Sequence, residues 1–274
     1  MRKIMSPPNI LQQIVETKKQ EVAEAKKRVS LEDLKRQCAA AEPPRNFFAA
    51  LTKKPAGLAN VIAEVKKASP SAGVMKTEFD PVAQAKAYDE AGADALSVLT
   101  DEQYFKGHLS YLKMIRDAVP LPILRKDFMI DPYQIYEARA AGADAILLIA
   151  EILSDSQITD FQILAAELRL TTLIEVHAMD SLLRVRSLIG FPMRSYSLLG
   201  INNRDLRTFT VDINNTIRLA DLVPDRNVLV AESGIKTRDD VKKLHAAGVR
   251  ILLVGETLMR TGDVKSAMKE IKGM

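Results

Sequence analysis

The chain predicts a (β/α)8 TIM barrel with an N-terminal helical extension, and three observations lead there. Short apolar runs rich in Val, Ile and Leu recur at 61–65, 95–99, 121–125, 145–149, 172–176, 198–202, 228–232 and 250–254. Runs that are apolar on both faces describe parallel strands covered on both sides. Amphipathic stretches with helix-start signals lie between them, and the repeat of roughly 22–34 residues matches one βα unit. Entries to the even-numbered runs also echo one another: Ala91-Gly92-Ala93-Asp94, Ala141-Gly142-Ala143-Asp144 and Ala247-Gly248-Val249-Arg250. The sixth run lacks the echo. Eight units in about 250 residues make a barrel. A doubly wound open sheet is the rival, but no Gly-x-Gly-x-x-Gly follows the first run.

In chain order, residues 9–28 carry Ile10, Ile14, Val22 and Ala25 between charges, a helix after Pro7-Pro8. Ser30 suits the N-cap of a second helix, with Asp33 three residues on. Residues 43–59 hold Pro43, Pro44, Pro55 and Gly57, a connector with one helical turn around Phe47-Phe48. Residues 1–60 therefore form an extension and 61–274 the barrel, in a single domain. Asp80-Pro81 and Asp131-Pro132 each place a cap before a proline at the first helical position. Ser154, Thr210 and Thr237 are further candidate caps. Gly92, Gly142 and Gly248 suit helix C-termini, where a positive φ is needed.

Composition bounds the function. With 47% hydrophobic and 27% charged residues the chain can bury a sizeable core. Its net charge of +4, from 39 basic and 35 acidic residues, is too balanced to argue for nucleic acid and fits a small anionic substrate. Lys18, Lys19, Lys26, Lys27 and Arg28 are interleaved with Glu16, Glu21 and Glu24, which reads as a solvated helix face. The single cysteine, Cys38, excludes an intrachain disulfide. His108, His177 and His245 are far apart, and no zinc-type spacing occurs. No apolar signal region follows Met1-Arg2-Lys3 and no run reaches membrane-spanning length, so a cytoplasmic location is expected. The chain is compatible with a monomer.

Barrels of this class place their sites at the C-terminal ends of the strands. Here those ends carry Glu64 and Lys66, Arg125-Lys126-Asp127, Glu151, Glu175 and His177, Asn202-Asn203-Arg204, Glu232-Ser233-Gly234, and Gly255-Glu256. Most such charges are solvated loop residues. Glu64, Glu175 and Glu232 are different, since each sits inside an apolar run, where a carboxylate is costly unless paired or used. Opposite charges in a partly dry mouth tune one another, as acid–base catalysis requires. Asp127 reads as an ion-pair partner or cap and His177 as a hydrogen-bonded structural residue, with Arg125 and Glu151 open. Ser233-Gly234 and Gly255-Glu256-Thr257, after the seventh and eighth runs, lie where this fold commonly binds phosphate. Glycine lets backbone approach the anion there, and Lys66 is the candidate cation.

The whole chain resembles the indole-3-glycerol phosphate synthase family of tryptophan biosynthesis. The sharpest matches are Ile62-Ala63-Glu64-Val65-Lys66-Lys67-Ala68-Ser69-Pro70-Ser71, Leu124-Arg125-Lys126-Asp127-Phe128 and Leu173-Ile174-Glu175-Val176-His177. Gly200-Ile201-Asn202-Asn203-Arg204-Asp205-Leu206, Ala231-Glu232-Ser233-Gly234-Ile235 and Leu253-Val254-Gly255-Glu256 complete the set. The resemblance implies conversion of 1-(2-carboxyphenylamino)-1-deoxyribulose 5-phosphate to indole-3-glycerol phosphate, carbon dioxide and water, with neither metal nor organic cofactor. By the same resemblance Lys126 is the general acid at the ketone oxygen and Glu175 its acid–base partner. Glu64 and Lys66 serve the dehydration, Lys66 also lying near the substrate carboxylate or phosphate. Asn202 and Glu232 orient the ribulose chain and the amines, and Arg204 supports the site. Ser69, Ser233, Gly234, Gly255 and Glu256 surround the phosphate and carboxylate. Phe105, Phe128, Leu147 and Leu206 are candidate walls for the aromatic ring. The chain has no Trp, so a stacking partner drawn from the extension in some relatives must be replaced or absent.

Two other readings compete. A phosphoribosylanthranilate isomerase needs a Cys/Asp pair, and Cys38 precedes the barrel. A non-catalytic phosphosugar-binding barrel would keep the glycines without needing Lys126 and Glu175. The long loop 66–79, with Pro70 and Gly73, is expected to close over the substrate.

Overall fold

The computed structural model describes residues 10–70, 73–76, 78–205 and 210–274. Helices α1 (Ile10–Arg28), α2 (Leu31–Ala40) and α3 (Phe47–Thr52) come first. Ser30 caps α2 by accepting the Asp33 backbone N–H, and Asn46 caps α3 through Ala49 N–H. Strand β1 (Asn60–Val65) follows, then a two-stranded antiparallel ribbon of β2 (Ala68–Ser69) and β3 (Gly73–Val74).

The chain then alternates: α4 (Pro81–Glu90), β4 (Ala95–Leu99), α5 (Ser110–Ala118), β5 (Ile123–Lys126), α6 (Pro132–Ala140), β6 (Ala145–Ile149), α7 (Asp155–Glu167) and β7 (Thr171–Val176). It continues α8 (Met179–Val185), β8 (Ser197–Asn202), α9 (Asn214–Ala220), β9 (Leu229–Glu232), α10 (Arg238–Ala246), β10 (Ile251–Val254), α11 (Glu256–Arg260) and α12 (Val264–Lys272). Strands β1 and β4 through β10 pair in parallel and in sequence order, and β10 returns to β1 to close the barrel. This is the predicted fold.

Local chemistry accounts for most boundaries. Asp80 and Asp131 cap α4 and α6 with Pro81 and Pro132 behind them, and Ser154 and Thr237 cap α7 and α10. Thr210 is not the cap of the helix it precedes. Helix α9 starts only at Asn214, and Asp212, not Thr210, accepts the Asn214 N–H. Gly92, Gly142 and Gly248 adopt φ of 85°, 91° and 85° just past α4, α6 and α10, a conformation that lets each chain turn into its strand.

Two apolar layers result. Val61, Ala63, Leu96, Val98, Ile146 and Leu148 face the helices. Ile62, Leu124, Leu147, Leu173, Leu198, Val230 and Leu253 fill the barrel interior. Phe47 and Leu51 of α3 join this interior layer, and Asn60 at the start of β1 donates to the Leu51 and Lys53 carbonyls, so α3 seals the N-terminal end. Leu11 and Ile14 of α1 join the same layer and reach the mouth. No helix among the described residues is long and apolar enough to cross a membrane.

Candidate active site

Side-chain alternation decides what reaches the mouth. Ile62 packs inside the barrel, so Glu64, two residues on, points the same way while Ala63 and Val65 face the helices. The same parity carries Lys126 in after Leu124, Glu175 after Leu173, Asn202 four residues after Leu198, Glu232 after Val230 and Gly255 after Leu253. All of them line one cavity of about 520 Å³ at the C-terminal ends of the strands. Lys66, Ser69, Phe105, Phe128, Leu147, Arg204, Ser233, Gly234 and Glu256 line it too. Leu206 lies outside the described residues, as do Ser71, Ala72 and Thr77 of the loop expected to close; its described Ser69, Pro70 and Met75 border the cavity.

Lys126 is the electrostatic centre. Its Nζ stands 2.8 Å from Glu175 Oε2 and 3.7 Å from Glu232 Oε2. Burial works to lower the Lys126 pKa, but the charges of Glu175, Glu232 and Glu64 outweigh it and hold the ammonium above its ordinary range. The two glutamates are driven apart. Burial raises both, yet Lys126 and His177 pull Glu175 down to about 2. Glu232, facing that ionised neighbour, is pushed well above the usual carboxylate value. The two carboxyls are thus driven to opposite sides of the ordinary value, the pattern that separates acid from base at a shared site. Asn202 donates from Nδ2 to Glu175 Oε1 at 3.3 Å, and Arg204 N–H donates to Asn202 Oδ1 at 3.0 Å.

Two glycines make this packing possible. A Cβ on Gly200 would collide with the Glu232 carboxylate, and one on Gly255 with that of Glu64. Gly255, expected only as a place for backbone to approach an anion, is also the space that admits Glu64. Glu64 forms an ion pair with Lys66. Across the mouth, Ser233 and Gly234 both adopt positive φ, 67° and 79°. For a serine this is uncommon, and the strained turn sits on the cavity wall. The Glu256 carboxylate is held by Arg260 Nε at 2.9 Å and lies 3.8 Å from Arg204, so cations neutralise it at the cavity rim.

The apolar wall is partly aliphatic. Phe105 and Phe128 stack at a tilt with centroids 6.1 Å apart. Ile10, Leu11 and Ile14 of α1 supply further surface. Their helical spacing was the signal that this face is buried.

Other strand-end charges make their contacts outside this cavity. Arg125 points outward and binds Thr100, the Gln134 carbonyl, Asp127 and Glu137. Glu151 accepts the His177 backbone N–H at 2.9 Å and lies 3.1 Å from its Nδ1. Asp127 is an ion-pair residue, as expected. Its partner was not expected: Lys18 of α1, read as part of a solvated face, is 3% exposed. Lys18 Nζ contacts Asp127, Asp101 and Glu21 at 2.9, 3.0 and 2.6 Å. The clue was its place in the buried series Leu11, Ile14, Lys18, Val22. Cys38 is remote from the cavity, packed under α6 with Sγ donating to the Tyr136 carbonyl.

A family model described as indole-3-glycerol phosphate synthase matches residues 11–271. A protein of that name from Acidithiobacillus ferrooxidans is 47% identical over 264 residues, 96% of this chain and 98% of its own. One from Zymomonas mobilis is 47% identical over 270 residues, covering 97% and 99%. Among solved structures, 3-hexulose-6-phosphate synthase from Salmonella typhimurium superposes with a TM-score of 0.62 at 15% identity, over 78% of this chain and 96% of its own. A tryptophan synthase complex from Pyrococcus furiosus gives 0.55 at 14% identity, over 81% and 100%. These two show the fold alone.

Proposed function

The chain belongs to the indole-3-glycerol phosphate synthase family, and from that premise we infer that it converts 1-(2-carboxyphenylamino)-1-deoxy-D-ribulose 5-phosphate to indole-3-glycerol phosphate, carbon dioxide and water. It would act as a carboxy-lyase of tryptophan biosynthesis. The observation that carries the reading is the Lys126 ammonium held between Glu175 and Glu232 on the cavity floor.

An ammonium so placed can protonate a ketone oxygen as the ring carbon attacks it, and a lysine can be tuned for this where an arginine cannot. Ionised Glu175 orients Lys126 and stabilises the cation that forms on ring closure. Glu232, whose pKa is pushed upward beside Glu175, is placed to hydrogen-bond a substrate hydroxyl. After carbon dioxide leaves, Lys66 protonates the departing hydroxyl and Glu64 takes the ring proton. Their contact lets that pair exchange the proton back. The Ser233-Gly234 turn and the backbone at Gly255 suit the phosphate, with Ser69 and Arg204 beside them. Phe105, Phe128, Leu147, Leu11 and Ile14 give the cavity an apolar lining that suits an aromatic ring. Residues 1–60 and 61–274 act as one unit in this reading, because α1 completes that wall. The reading carries with it a cytoplasmic monomer that binds a small phosphorylated molecule and no nucleic acid.

Indole fluorescence on mixing with the substrate tests the activity. Lys126→Met is expected to lower turnover about a thousandfold or more with little change in binding of a substrate analogue. Undiminished turnover would remove Lys126 from this role, and an inactive wild-type enzyme would remove the activity.

A further inference from the structure

We rest this inference on the proposed reaction, which leaves a proton to be replaced. The substrate enters with an ionised carboxylate, and that group departs as neutral carbon dioxide. Lys126 gives one proton to the ketone oxygen. Lys66 gives a second to the leaving hydroxyl, which departs as water, and Glu64 recovers one from the ring carbon. The Glu64/Lys66 pair closes its own cycle by direct contact. Each turnover therefore takes up one proton net, and the deficit falls on Lys126.

Lys126 is buried among carboxylates, but a chain of contacts runs from it to a second cavity. Glu175 Oε2 is 2.8 Å from Lys126 Nζ, and Glu175 Oε1 is 3.5 Å from His177 Nε2. That ring nitrogen is buried and has no hydrogen-bond partner among the described residues. The other ring nitrogen, Nδ1, is 3.1 Å from Glu151 Oε2. Glu175 lines the first cavity and not the second, whereas His177 and Glu151 line the second, of about 690 Å³, and not the first. His177 thus stands in the wall between them.

We propose that His177 returns a proton to Lys126 after each turnover, through Glu175, and is itself refilled through Glu151 from water in the second cavity. The imidazolium gives its Nε2 proton to Glu175 Oε1. A half-turn of the carboxyl presents that proton to the Lys126 amine, restoring ammonium and carboxylate. The neutral ring, left with its proton on Nδ1, turns over so that this proton faces Glu175 and the bare nitrogen faces Glu151, where it regains a proton and the imidazolium is restored. No electrons are transferred.

The surroundings favour the charged form of the ring that the relay needs. Burial works to lower the His177 pKa and Lys126 opposes its charge, but Glu151 and Glu175 prevail and raise it. Asn215 of α9 fixes the strand end by donating to the His177 carbonyl at 3.1 Å. Across the second cavity lie Glu16, Asp205, Asp212 and Arg218, the last two paired at 3.1 Å. His177 touches no substrate in this scheme. It is a positioning residue for the proton and acts through Glu175.

Rapid-mixing fluorescence of the indole product, with His177→Ala and Glu151→Gln, tests the relay. The first turnover starts from a protonated Lys126, so it is expected at the wild-type rate. Later turnovers slow on the order of a hundredfold in His177→Ala, with kcat/KM unchanged so that KM falls along with kcat, and imidazole in the buffer restores them. Glu151→Gln, which keeps an acceptor for the His177 N–H, shows the same burst with a smaller loss and carries the test if His177→Ala does not fold. Equal slowing of first and later turnovers without imidazole rescue would overturn the relay, as would no slowing at all. A wild-type enzyme that forms no indole product would overturn the relay and the functional reading together.

Discussion

Lys18 Nζ stands 2.9 Å from Asp127 Oδ1, on the residue that follows Lys126. A cation from the N-terminal extension is thereby buried against the strand that carries the central ammonium. Asp101, after β4, shares the same cation at 3.0 Å. The contact ties α1, which forms a wall of the cavity, to the cavity floor.

Removing that cation strands two buried carboxylates. Lys18→Met is expected to destabilise the fold by about 3–5 kcal/mol, read from urea unfolding. Adding Asp101→Asn to it should recover part of the loss. A destabilisation near zero would mean that water replaces the ammonium without cost.

Asp127 links this contact to pH. Burial would raise its pKa, but Arg125 and Lys18 dominate and bring it from 3.8 to about 2. A carboxyl lowered on folding adds stability that is complete above its unfolded value and is lost as pH falls towards the folded one. Wild-type stability should therefore decline between about pH 4 and pH 2, and Asp127→Asn should flatten that part of the curve. An unchanged slope in the variant would contradict the assignment.

Glu232 predicts the opposite sign. Its folded pKa lies above the ordinary 4.5, so above that pH the unfolded chain releases a proton that the folded chain retains. Stability then falls as pH rises. Glu232→Gln removes this term and should stabilise the protein at neutral pH by about 1 kcal/mol while reducing turnover. Thermal unfolding at pH 5 and pH 8 checks it: the gain should be larger at pH 8.

Gly255→Ala tests the space that admits Glu64. The new Cβ would collide with the Glu64 carboxylate and displace it from Lys66. Turnover should fall by about a hundredfold while circular dichroism stays native. Retained activity would mean that Glu64 can move without consequence.

Much of this site was legible in the sequence. Glu64, Glu175 and Glu232 stand out because each interrupts an apolar run, and a strand's two-residue period then says that each faces the same side as its apolar neighbour. Lys126 follows from Leu124 by the same rule. The caps at Ser30, Asp80, Asp131, Ser154 and Thr237 were legible because a cap is a contact across two or three residues. Thr210 failed as a cap because Asp212 lies closer to the helix start and accepts the N–H instead. Lys18 was missed because a lysine among glutamates on a helix is ordinarily solvated. What buries it is a pair of aspartates more than eighty residues away.

The sequence by itself determined the barrel, the mouth at the strand ends and the side chains that point into it. Alternation, capping and turn chemistry are properties of neighbouring residues, so they need no knowledge of the rest of the chain. Only the tertiary structure decided how the charges are shared. Glu175 is pulled down while Glu232 is pushed up, Lys18 is buried, and His177 stands between two cavities. Each of these depends on distances between strands that barrel closure alone brings together, and electrostatic energies in a dry site change steeply over such distances.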